Sequence, residues 1–119
     1  MQPFTDLQIW QRSHGLVLGI YELTRSFPIE ERYGLASQLR RAVTSVPTNI
    51  AEGSRRQHRQ DFARFLNIAE GSLAEVEYLL LVTKDLGYAT PDTVRGHLDE
   101  ANEIARMLYA FRRKVEAEP

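Results

Sequence analysis

Residues 60–86, QDFARFLNIAEGSLAEVEYLLLVTKDL, have the most regular apolar spacing in the chain and decide its fold. Their inward positions recur every three or four residues: Phe62, Phe65, Leu66, Ala69, Leu73, Val76, Leu79, Leu80, Thr83 and Leu86. This spacing places them on one side of an α-helix. The stretch predicts a helix of roughly 40 Å at ~1.5 Å per residue, ended by Gly87.

A second helix is predicted before this stretch, from about Tyr33, with Leu39, Val43 and Ile50 facing inward. Pro47 lies inside it and removes one backbone hydrogen bond, so we expect a kink near this position and not a stop. Gly53 is placed to end the helix in a left-handed conformation.

The first and fourth helices lie at the two ends of the chain. Helix one begins near Thr5, and its apolar residues cover well over half of its circumference, whereas a surface helix in a monomer needs a stripe of roughly 100°. We therefore expect it to be covered on two sides. Gly15 and Gly19 lie on the part of the helix surface that these apolar residues leave uncovered. Either the close approach of another helix or simple tolerance of glycine explains the two glycines. Helix four begins with Thr90 as its N-cap and Pro91 as its first residue.

Together these patterns predict the architecture. No segment alternates with the period of two that a strand requires. Long helices joined by short turns predict an all-α, antiparallel up-and-down four-helix bundle with helix two kinked at Pro47. With 119 residues, the chain 1–119 is expected to form a single domain.

Composition narrows the class of protein. The chain has no cysteine, which excludes disulfides and thiolate metal sites. It has no apolar run near the roughly 20 residues of a membrane span and no signal peptide, so no membrane partner and a cytoplasmic location are expected. The formal net charge is −1, but residues 40–64 carry six arginines against Glu52 and Asp61. The middle of the chain can therefore face an anion.

One hexapeptide, Asn-Ile-Ala-Glu-Gly-Ser, occurs at residues 49–54 and again at 67–72. The flanking residues barely match, so it does not indicate a duplicated domain. The first copy is expected to close helix two. The second copy is expected to supply small residues that let helix three pack closely, and chance reuse of small residues is the alternative.

Two groups of polar residues are candidate sites. Arg55, Arg56, Arg59 and Arg64 can contact phosphates of RNA or DNA, although a solvated turn between helices explains the same residues. Aromatic side chains for base stacking are missing there, because Phe62 and Phe65 belong to the apolar stripe. The second group consists of Arg40, Arg41, Asn49, Glu52, Gly53, Glu70 and Gly71. Its arginines and glutamates are predicted to form ion pairs that lock helix two against helix three, and an anion-binding role is the alternative.

Catalytic sites are not indicated. No histidine has a glutamate three residues before it, as a di-iron bundle requires, and His97 with Glu100 is the one reversed pair. There is no glycine-rich phosphate loop and no cysteine nucleophile. We expect a non-enzymatic protein without catalytic residues, metal or cofactor.

Several linked motifs resemble a known family. They are Tyr33-Gly34-Leu35, Gln38-Leu39-Arg40-Arg41-Ala42, Ser45-Val46-Pro47, residues 49–53 and residues 65–73. In this order they resemble the bacterial 23S rRNA intervening-sequence, or S23, proteins and the related accessory protein of diversity-generating retroelements. The resemblance implies a homopentameric ring of four-helix bundles, and its strongest motif positions fall on Arg40, Arg41, Asn49, Glu52 and Gly53. In the retroelement relatives it implies a basic surface that binds nucleic acid and the reverse transcriptase.

Three partners follow as expectations. The wide apolar arc of helix one and the resemblance predict a homo-oligomer. The arginines at positions 55, 56, 59 and 64 predict RNA or DNA binding. The sequence pI near 6.3 argues against it, because a nucleic-acid-binding protein of this kind is expected to be strongly basic. Another protein is the alternative partner, for which the acidic flank of helix four, Asp99, Glu100 and Glu103, is a candidate surface.

Overall fold

Four long helices form the molecule. A computed structural model describes residues 2–118 of the chain. The helices are α1 (Gln8–Thr24), α2 (Leu35–Ser54), α3 (Arg59–Asp85) and α4 (Pro91–Ala117), with short 3-10 turns at Phe4–Asp6 and Ile29–Glu31. Residues 2–118 contain no strand. The predicted all-α four-helix bundle is confirmed.

Each helix packs on two neighbours. α2 packs on α1 and α3, and α4 packs on α3 and α1, so α1 lies diagonally opposite α3. Neighbouring helices are antiparallel: Ser45 of α2 meets Ser72 of α3, while Gly53, near the end of α2, meets Phe65, near the start of α3. The core between the four helices is mainly apolar, and its completely buried side chains include Leu16, Leu39, Leu66, Leu73, Leu80, Ile104 and Leu108. None of the helices in residues 2–118 has the length and hydropathy of a membrane span.

The helix boundaries follow local signals. Gly87 follows the end of α3, as predicted for a helix stop, and its φ of 75° is left-handed. Thr90 caps α4, because its side chain accepts a hydrogen bond from the backbone N–H of Thr93, and Pro91 is the first helical residue. α2 runs through Pro47 without ending there. The kink at Pro47 stays a prediction.

Gly53 does not have the predicted conformation. It lies inside α2, is buried, and is not among the residues with positive φ. A Cβ atom built on it would lie 2.7 Å from Cβ of Phe65 and 2.9 Å from Cδ1 of Phe62. Glycine is therefore required here because α3 approaches α2 too closely for a side chain, and the prediction of a left-handed helix end was wrong.

Gly71, the matching glycine of the second hexapeptide, has the opposite environment. It is exposed, and a Cβ atom there would meet nothing within 4 Å. The small residues of this hexapeptide that do pack are Ala69, which is fully buried, and Ser72, which is half-buried. The two identical hexapeptides thus hold one packing glycine and one surface glycine.

We expect the same substitution to have opposite effects in the two copies. Gly71→Ala should raise the free energy of unfolding by up to about 1 kcal/mol, because alanine is the better helix former. Gly53→Ala should lower it, because overpacking costs about 1–3 kcal/mol and exceeds the propensity gain. Urea unfolding followed by circular dichroism measures both. Stabilisation by Gly53→Ala would contradict the close approach of α2 to α3.

A polar seam joins α1 to α4. The ring of His97 in α4 lies over Gly19 in α1. A Cβ atom built on Gly19 would be 3.2 Å from Cε1 of His97. One turn away, Oε2 of Glu100 lies 4.0 Å from the corresponding position on Gly15. Arg12 donates to Glu103 across the same seam at 3.0 Å. The His97 side chain therefore occupies the space beside Gly19, and the close approach of another helix backbone stays a prediction.

The seam should respond to acid. Burial lowers the pKa of His97 below its ordinary value of 6.5, and the nearby Glu100 opposes this shift. The unfolded chain therefore binds more protons than the folded chain as the pH falls below 6.5, and the free energy of unfolding decreases. His97→Gln should remove the contribution of His97 to the decrease in the free energy of unfolding between about pH 7.5 and pH 5, as measured by urea unfolding. The surface variant His14→Gln is the control, and an unchanged pH dependence in His97→Gln would contradict the prediction.

Candidate nucleic-acid interface

The four candidate arginines lie at one end of the bundle. Arg55 and Arg56 directly follow α2, Arg59 is the first residue of α3, and Arg64 lies one to two turns further along α3. The chain reverses direction here, so arginines from both sides of the turn come together. We call Arg55, Arg56 and Arg64 the arginine cluster, because Arg59 differs from them in its contacts.

Phe65 positions two members of the cluster. The Cζ atom of Arg56 lies 4.6 Å from the centre of its ring and that of Arg64 lies 5.1 Å from it. The ring is almost fully buried against α2, where Gly53 makes room for it. Two guanidinium groups thus contact one aromatic ring, which attracts cations through its quadrupole.

Arg55 contacts a different aromatic ring. Its Cζ atom is 5.7 Å from the centre of the Phe4 ring in the 3-10 turn before α1. Arg55, Arg56 and Phe4 line a cleft of about 490 Å³ together with Ala51 and Glu52. Within residues 2–118, none of the three arginines of the cluster has an acidic side chain within salt-bridge distance.

Arg59 forms an ion pair with Glu118, the residue that directly follows α4. Its Nη2 atom lies 2.8 Å from Oε2 of Glu118, and its Nε donates to the carbonyl oxygen of Val115 at 3.2 Å. Arg112 lines a groove together with Arg59. It forms ion pairs there with Glu70 and, at 3.0 Å, with Glu116. The hydrogen bond with Glu70 raises the pKa of Arg112, which keeps its charge. The four sequence candidates are therefore not equivalent.

The predicted ion pairs between α2 and α3 do not form among the described residues. Arg40 turns to α1 instead, where its Nε donates to Oγ1 of Thr24 at 2.8 Å. Glu70 turns to Arg112 of α4. Arg41 and Glu52 are exposed. That prediction was wrong because each of these side chains faces a helix other than the expected one, or solvent.

Two serines make the polar link between α2 and α3 that the arginines were expected to make. The hydroxyl groups of Ser45 and Ser72 are 2.8 Å apart. Asn49 supports this link by donating to the carbonyl oxygen of Ser45 at 2.8 Å and to its hydroxyl at 3.0 Å. Asn49 belongs to the first hexapeptide and Ser72 to the second.

The acidic flank of α4 is partly engaged within the bundle. Glu103 accepts a hydrogen bond from Arg12, which lowers its pKa, and Glu100 lies against α1 in the polar seam. Asp99 is exposed. Residues 2–118 contain no group of three or more acidic, histidine or cysteine side chains arranged to hold a metal ion.

Comparison with known proteins places the chain in context. A family model described as 23S rRNA-intervening sequence protein matches residues 5–110. Among solved structures, the fold is similar to a protein of unknown function from the S23 ribosomal protein family of Bacteroides thetaiotaomicron, with a TM-score of 0.79 and 25% sequence identity. The match covers 87% of this chain and 97% of that one. No curated protein matches the chain.

Proposed function

The chain belongs to the 23S rRNA-intervening sequence protein family, and on this premise we propose that it is a non-enzymatic, cytoplasmic binding protein whose arginine cluster contacts the phosphate backbone of RNA or DNA. One observation carries the proposal. Arg56 and Arg64 share the Phe65 ring and have no acidic partner among the described residues. Arginine forms paired hydrogen bonds with phosphate oxygens, so two neighbouring cations suit successive phosphates of one strand.

The contacts argue for backbone binding without sequence preference. Phosphate contacts position a nucleic acid but do not read its bases. The ring of Phe65 is buried at 8% exposure and already carries two guanidinium groups, so it offers no face for base stacking. Because the whole chain carries a net charge of −1, attraction comes from the local cluster and should weaken steeply with salt.

Replacing Arg55, Arg56 and Arg64 with alanine should abolish most binding to a fluorescent single-stranded RNA or DNA at low salt. Each phosphate contact contributes about 0.7 to the slope of log affinity against log salt for a single strand, so the slope should fall by about 2. Fluorescence anisotropy across a salt series measures both quantities. Arg59→Ala should have a smaller effect than Arg56→Ala, because Glu118 already neutralises Arg59.

The matched control removes the same charge elsewhere. Arg41, Arg95 and Arg106 are exposed arginines outside the cluster, and their triple alanine variant should keep nearly full binding. Equal losses in the two triple variants would show that net charge alone matters and would contradict the assignment to the cluster. So would an absence of low-salt binding by the unmodified protein.

We further propose that the protein acts as a homo-oligomer, with five subunits as the resemblance implies. Large apolar side chains remain exposed on diagonally opposite helices, Leu18 and Tyr21 on α1 and Tyr78 and Leu81 on α3. Exposed apolar patches of this kind indicate interfaces. Because the two patches differ and lie on opposite sides, they favour head-to-tail association, which closes into a ring when the rotation permits.

Leu18→Asp should disrupt this assembly, because Leu18 is 59% exposed and faces outward from α1. Ile29→Asp is the control, since Ile29 is equally apolar and more exposed but lies outside both helices. Sedimentation velocity at micromolar concentration should show a multimer for the unmodified protein and for Ile29→Asp, and a smaller species for Leu18→Asp. Only a 13.7 kDa species in the unmodified protein would contradict the proposal.

A further inference from the structure

A second cationic cleft lies at the end of the bundle opposite the arginine cluster. It is formed where α1 ends, the chain passes through the 3-10 turn Ile29–Glu31, and α2 begins. Its volume is about 390 Å³, and three arginines line it, Arg25, Arg32 and Arg40. No acidic residue lines it. Three cations around a cleft without a carboxylate in its walls favour an anionic ligand.

Arg40 is the fixed cation of this cleft. It is half-buried, its Nε donates to Oγ1 of Thr24 at 2.8 Å, and its Cζ lies 4.6 Å from the centre of the Tyr21 ring. Arg40 has no ion-pair partner in residues 2–118. Every buried side-chain nitrogen among the described residues has a hydrogen-bond partner. The other guanidinium nitrogens of Arg40 have no such partner, so they are exposed to the solvent in the cleft. The side chain is held in place before any ligand arrives.

Arg32 supplies a second unpaired cation. The neighbouring Glu31 does not neutralise it, because the Glu31 carboxylate accepts from the backbone N–H of Leu35 at 3.0 Å and from the Tyr88 hydroxyl at 2.8 Å. Arg25 makes a solvent-exposed pair with Glu22, with 3.4 Å between the charged atoms, and such pairs contribute little. Arg32 and Arg40 therefore carry the anion-binding capacity.

The rest of the cleft is apolar. Phe27, Pro28 and Ala36 are buried or half-buried in its wall, while Ile29 on its rim is 76% exposed. An inorganic anion alone would leave this surface uncovered. The combination of fixed guanidinium groups and an apolar wall fits a ligand that joins a charged group to a flat or apolar body.

We propose that this cleft binds a small phosphate monoester with an apolar or aromatic body, of which a nucleoside monophosphate is the simplest case. The phosphate lies between Arg32 and Arg40, and the body lies against Phe27 and Ile29. Arginine forks match phosphate oxygens bidentately, and a phosphate near pH 7 carries almost two charges to balance them. The site is separate from the arginine cluster and does not depend on nucleic-acid binding there.

Isothermal titration of the full chain with adenosine monophosphate, inorganic phosphate and adenosine tests the proposal. We expect a dissociation constant between about 10 μM and 1 mM for the nucleotide. Phosphate alone and adenosine alone should each bind at least ~10-fold more weakly, because each lacks one half of the interaction. The proposal would be overturned if the nucleotide did not saturate the protein up to about 10 mM. It would also be overturned if phosphate alone or adenosine alone bound as tightly as the nucleotide.

Variants locate the site. Arg40→Gln and Arg32→Gln should each weaken nucleotide binding about 10-fold or more, and Ile29→Asp should weaken it as well. Arg41→Gln is the matched control, because Arg41 follows Arg40 on the same helix but lines a different cleft with Ser45 and Glu75. Arg32 is exposed, so Arg32→Gln tests the cleft even if Arg40→Gln disturbs folding. Loss of binding in Arg41→Gln, or in the triple variant of the arginine cluster, would place the ligand elsewhere and overturn the proposal.

Discussion

The close contact between α2 and α3 at Gly53 is the constraint on which the candidate interface depends. Because residue 53 has no side chain, Phe62 and Phe65 pack directly on the last turns of α2. This contact buries the ring of Phe65 and places it beneath Arg56, which follows α2. A larger residue at position 53 would separate the helices and move the ring away from Arg56. Packing and charge placement at this end of the bundle therefore have a common cause.

Ion pairing sorts the arginines into structural and available ones. Arg12, Arg59 and Arg112 each meet a glutamate from another part of the chain and tie α1 or α3 to α4. Arg55, Arg56 and Arg64 instead rest on aromatic rings, which orient a cation without cancelling its charge. Arg40 follows the same rule at the opposite end of the bundle, with Tyr21 as its ring. A low net charge is thus compatible with two local cationic surfaces, because most of the acidic residues lie elsewhere.

Regular apolar spacing made the helices predictable. The three-to-four-residue period reappears as the buried face of α3, except that Leu86, which was expected to face inward, follows the helix and is 54% exposed. The turn signals at Gly87, Thr90 and Pro91 lie where α3 ends and α4 begins. Polar partners were less predictable. Glu70 was expected to face α2 but pairs with Arg112, whose position 42 residues further along the chain carries no local signal for this contact. The link between Ser45 and Ser72 was missed for the same reason, because hydroxyl pairs have no characteristic spacing.

The two copies of Asn-Ile-Ala-Glu-Gly-Ser separate what the sequence determined from what the tertiary structure decided. By itself the sequence determined that both copies are helical and that arginines follow the first, because helical period and charge are local properties. Only the packing of α3 on α2 decided that Gly53 is indispensable at a helix contact while Gly71 faces solvent. Only the bundle decided which glutamates reach which arginines. The physical reason is that a side chain's neighbours across a bundle depend on the rotation and register of each helix, which identical hexapeptides do not specify.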